Sequence, residues 1–111
     1  MNPQDQRKAP GASRYLRRAM KRVKRKMEPH MEKYSSPDGQ LACVLISIAA
    51  AAVVGGKESK ENLKSVTRLA SEISGIPIGA MTAHADFSLA MNAFSMKAHQ
   101  TSTIGGGGTN A

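Results

Sequence analysis

Eight cations crowd thirteen residues of this chain: Arg14, Arg17, Arg18, Lys21, Arg22, Lys24, Arg25 and Lys26. Guanidinium and ammonium groups at that density suit one chemistry, the neutralisation of a run of phosphates. Arg adds a planar fork that can hold a phosphate, or the edge of a guanine, with two parallel hydrogen bonds, whereas Lys acts as a point charge. No acidic residue lies between Arg14 and Lys26. These eight are the expected nucleic-acid-binding residues, meeting the backbone of DNA or RNA without regard to base sequence. Tyr15 is the one aromatic among them and Tyr34 follows later, which gives no basis for extended stacking of single strands. No zinc-finger spacing occurs, and Pro29 and Pro37 interrupt any leucine zipper.

The same charges have other readings. Like charges at i, i+3 and i, i+4, such as Arg14 with Arg17 and Arg18, repel one another, so the segment is expected to order on its partner. They could serve only as a solvated surface. They could also lie on an anionic membrane, with Leu16, Met20, Val23 and Met27 dipping into it. Lys21 to Lys26 also has the composition of a nuclear import run.

The remaining residues with reactive side chains form no constellation. Gly55-Gly56-Lys57 ends like a phosphate-binding loop, but Ala51 stands at the first glycine position and Glu58 where a Ser or Thr is required. His84 and Asp86 are two apart, on different faces of any helix. His84 is expected to be a core or interface histidine, and His30 and His99 have no ligand-spaced neighbour. Cys43 sits alone in an apolar run, where a thiol is inert. The expectation is a binding protein with no catalytic residues, no metal, no cofactor and no small-molecule substrate.

The positioning elements are expected to be helices. The chain has 111 residues, 41% hydrophobic but only 4% aromatic, with no Trp, and an Ala, Met and Leu supply of this kind favours helix over sheet. Its formal charge of +8 is not spread evenly. Residues 1–34 hold eleven Lys and Arg against three acids, while 35–111 hold five of each. The whole excess lies in the first third, so a local electrostatic footprint is indicated.

Residues 1–12 carry Pro3, Pro10 and Gly11 with little to bury, and disorder is expected there. Leu16, Met20, Val23 and Met27 step by four, three and four, predicting a helix over about 13–28 that Pro29 ends. Residues 1–34 thus read as a basic arm, and 35–40, with Ser35-Ser36-Pro37-Asp38-Gly39, as a turn and linker. A helical body follows over 41–100, with helices at about 41–54, 58–74 and 79–99. The first is an apolar run, the second shows Leu63, Val66, Ala70 and Ile73 on one face, and Gly75 then Pro77 stops it. The third carries Ala80, His84, Phe87, Met91, Phe94 and Ala98 as its stripe. Residues 101–111, with Gly105 to Gly108, read as a flexible tail.

An all-α protein of this size has a thin core, so a homo-oligomer is expected. Leu41 to Val54 spans 14 residues, short of the roughly 20 a bilayer needs, and is read as the central core helix. The alternative is a small membrane-associated or single-span protein, its arm on the cytoplasmic lipid surface. A third reading is an interaction adaptor using the Met-rich last helix. No secretory signal is read at the start, so the expected location is intracellular: cytoplasm, or nucleus in a eukaryotic or viral setting. An accessory virion component or a nucleoid-type protein would fit this layout.

Overall fold

The computed structural model describes residues 14–97 with their side chains, and the first and last helices extend past those limits. The expected disorder of 1–12 and flexibility of 101–111 fall outside the described residues. Every regular element is helical: α1 (Pro10–Met27), a 3-10 turn (Glu28–His30), α2 (Met31–Ser35), α3 (Pro37–Val54), α4 (Lys60–Ser74) and α5 (Ile78–Asn110).

α1 ends where Pro29 removes a backbone donor, and the chain tightens into the 3-10 turn. α3 begins four residues earlier than its apolar run implies. Ser36 Oγ accepts from Gly39 N at 3.1 Å and Pro37 takes the first helical position, a combination favoured at helix starts. The polar cluster at 35–39 is therefore a helix start following an abrupt corner, rather than a linker. Ser36 Oγ also donates to Lys33 O at 2.6 Å and Gln40 Nε2 to Ser35 O at 2.9 Å, which ties α2 to α3. The corner is so tight that a Cβ on Gly39 would run into the Lys33 carbonyl and come within 2.9 Å of Tyr34 Cα.

Ser59 caps α4, accepting from Asn62 N at 3.1 Å. Gly75, with φ +73°, closes that helix in the left-handed conformation, as its sequence position implies. Ser71 Oγ donates to Ile76 O at 2.6 Å, and Lys33 Nζ donates to Gly75 O at 2.9 Å. The α4–α5 corner is thereby fastened to α2.

α5 shares the centre with α3, the expected core helix, which packs on α2, α4 and α5 and gives Ala42, Ile46, Ala49 and Ala50 to the core. α1, α3 and α4 all pack against α5, and α3 and α4 pack on each other. Three neighbours can approach because its buried positions are small: Ala80, Ala83, Ala85, Ser88 and Ala90, with Met81 filling the middle. A stripe of large residues on one side does not describe such a helix, and Met91 and Phe94 are accordingly exposed. α3 buries Gly39, Ala42, Ile46, Ala49 and Ala50 on one face, while Leu41, Val44 and Ile48 lie exposed on the other. It is also the one helix among the described residues that is long and apolar enough to cross a membrane, and 28% of it is buried.

The division into arm and body is not seen. α1 docks along α5, with Val23 only 5% exposed and Met27 against the main core. Docking of the apolar stripe opposes the like-charge repulsion along the helix: burying a Val side chain contributes about 1.5–3 kcal/mol, whereas an i, i+4 repulsion costs a few tenths.

Candidate nucleic-acid interface

Docking of α1 decides where its cations go. With Val23 facing α5, a rotation of 100° per residue places Arg14, Arg17, Arg18, Lys21 and Arg25 on the opposite, outward side, and Arg22 and Lys24 at about 100° to either side. All seven are exposed. Lys26, about 60° from Val23, lies at the docked edge and is also exposed. Arg22 reaches Asp86 on α5 at 3.9 Å, a long contact between half-exposed groups that contributes little. The eight sequence-selected residues thus share one helix, with five on a common face and three at its margins.

One margin borders a groove. α1 and α4 each lie against α5 but hardly touch one another. Between them runs a channel of about 490 Å³, with Tyr15 on the α1 side, Lys60, Lys64 and Arg68 on the α4 side, and Ile78, Ala85, Asp86 and Leu89 among its floor residues. Charge counting by segment missed these three cations, because the acids of 35–111 cancel them. The signal was the spacing of Lys60, Lys64 and Arg68 at i, i+4 and i+8, which puts them on one side of a helix. Lys64 also meets Glu61 at 3.4 Å. At the other end of α1, a shallow cleft is lined by Arg25, Lys26 and His30 together with Pro77, Gly79 and Ala80.

The interior holds a different set of polar groups. Tyr34 Oη and both ring nitrogens of His84 are buried with no hydrogen-bond partner. Burial, helped by the neighbouring Cys43, pushes the Tyr34 hydroxyl up to about 12. Burial also raises the Cys43 thiol. It lowers His84, outweighing the Cys43 backbone carbonyl nearby, which favours the charged form. Neither ring nitrogen of His84 is hydrogen-bonded to the Cys43 thiol, the contact a nucleophile and its base would share. Among the described residues no group of three or more His, Cys, Asp or Glu could hold a metal ion.

Comparison with protein-family models, curated proteins and solved structures finds no match to this chain.

Proposed function

We propose that this protein binds nucleic acid through the outward face of α1, in sequence-independent contact with the phosphate backbone of DNA or RNA. The observation that carries the reading is the one-sided docking of α1. Val23 is buried and Met27 half-buried against the bundle, and the face turned away carries five exposed cations on a helix without an acidic residue. A preformed cationic face gives up less chain entropy on binding than an unfolded arm. Five contacts at about −0.9 each put the slope of log K against log salt near −4.5 on duplex DNA.

The test is titration of labelled duplex DNA and structured RNA across a range of salt. Changing Arg17, Arg18, Lys21 and Arg25 to Ala should weaken binding to every sequence alike and reduce the slope by between three and four, from about −0.9 per contact. Absence of binding by the unaltered protein at low salt would refute the reading.

The exposed apolar face of α3, with Leu41, Val44 and Ile48, supports a companion role for the remainder of the chain in self-assembly or partner binding. That same face favours one second reading, a membrane-associated protein whose α1 cations meet anionic lipid. Retention of the protein on vesicles in high salt, where phosphate contacts are screened but apolar insertion is not, would select it.

A further inference from the structure

We propose that the groove between α1 and α4 seats a short single strand of nucleic acid; this rests on the reading of α1 as a phosphate-binding helix. Lys60, Lys64 and Arg68 form a row along the groove wall, with about 6 Å between successive Cα atoms from four residues at 1.5 Å each. A row of cations on one wall matches one phosphate backbone. Tyr15, 59% exposed at the opposite wall, and the apolar floor at Ile78, Ala85 and Leu89 present surfaces for bases, the pairing of charged track and stacking platform that single-strand sites use. One aromatic implies a site of a few nucleotides.

A single row of cations on one wall, facing one aromatic, suits one backbone rather than the two of a duplex. The groove also contains a carboxylate, Asp86, with Arg22 3.9 Å away. The lining is three cations against that one acid.

The experiment compares a labelled oligothymidylate with a labelled duplex at several salt concentrations. The protein is used whole, as wild type, as the triple variant Lys60→Ala, Lys64→Ala, Arg68→Ala, and as Tyr15→Leu. The triple variant should reduce the single-strand slope by about 2, from three contacts at about −0.7 each, and weaken that binding at least tenfold while duplex binding changes less than about threefold. Tyr15→Leu should weaken the single strand at least about fivefold, since stacking on one aromatic is of order 1–3 kcal/mol per base. The chain has two Tyr and no Trp, and Tyr34 is buried, so oligothymidylate should quench the protein's tyrosine emission in the wild type but not in Tyr15→Leu. All the substituted side chains are exposed, and unchanged melting confirms that the variants are folded. Equal weakening of strand and duplex, no change in either, or displacement by polyglutamate as effective as by oligothymidylate in wild type and Tyr15→Leu alike would overturn the groove proposal while leaving the outward face of α1 in place. Failure of the wild type to bind either probe at low salt would overturn both.

Discussion

α1 and α3 solve the same packing problem with opposite surfaces. Each lays one face on α5 and leaves the other to its surroundings. On α1 the outer face is cationic; on α3 it is Leu41, Val44 and Ile48, with Ile48 63% exposed. The difference separates two kinds of partner. A cationic face gains from counterion release and weakens with salt, whereas an apolar face gains from burial and does not. One small bundle can therefore present an electrolyte-sensitive surface and an electrolyte-insensitive one, and each can be altered without the other.

The largest effect is expected where the two regions are joined. Gly39→Ala should destabilise the fold by about 3 kcal/mol, since the new methyl meets backbone rather than a movable side chain; this clash exceeds the roughly 1 kcal/mol of helix propensity gained. Urea unfolding would measure it, and an unchanged midpoint would mean that the α2–α3 corner is looser than described.

Next in size is the α1 docking face. Val23→Ala removes two buried methyl groups, worth about 1.5 kcal/mol at about 0.8 each, and should lower the melting temperature with no change in the exposed cations. His84 gives a pH-dependent effect. Its folded-state value is lowered by burial from an ordinary 6.5, so as pH falls through about 6.5 the unfolded chain takes up a proton that the folded chain refuses. Stability should hold above pH 7 and decline below 6.5, and His84→Leu should flatten that decline in thermal melts between pH 7 and 5.

The smallest effect on folding, within about 0.5 kcal/mol, is expected from Val44→Gln with Ile48→Gln on the outer face of α3. These changes should reduce self-association in sedimentation experiments and leave the salt slope of nucleic-acid binding untouched. A change in that slope would mean that the two outer faces are not independent.

Much of this was legible in the residues. Of the predicted stripe Leu16, Met20, Val23 and Met27, Val23 is buried and Met27 packs on the core while Met20 stays 50% exposed, and Pro29 and Gly75 mark the helix ends where they occur. Three things were not legible. Ser36-Pro37 signals a turn and a helix start with the same residues, and only the Ser36 Oγ bond to Gly39 N distinguishes them. The share that α5 takes in the core was hidden because Ala and Ser can be buried on any side of a helix without leaving a hydrophobic stripe. The α4 row of the groove was concealed for a related reason: a segment with balanced charge can still carry its cations on one side.

Amide hydrogen exchange along α1, in free protein and with duplex DNA bound, tests most directly whether the cationic face exists before its partner arrives. Amides around Val23 should already be protected in the free protein, and binding should add little to that protection. Exchange at unfolded-chain rates over residues 14–27 in the free protein, with protection appearing only on DNA, would contradict this.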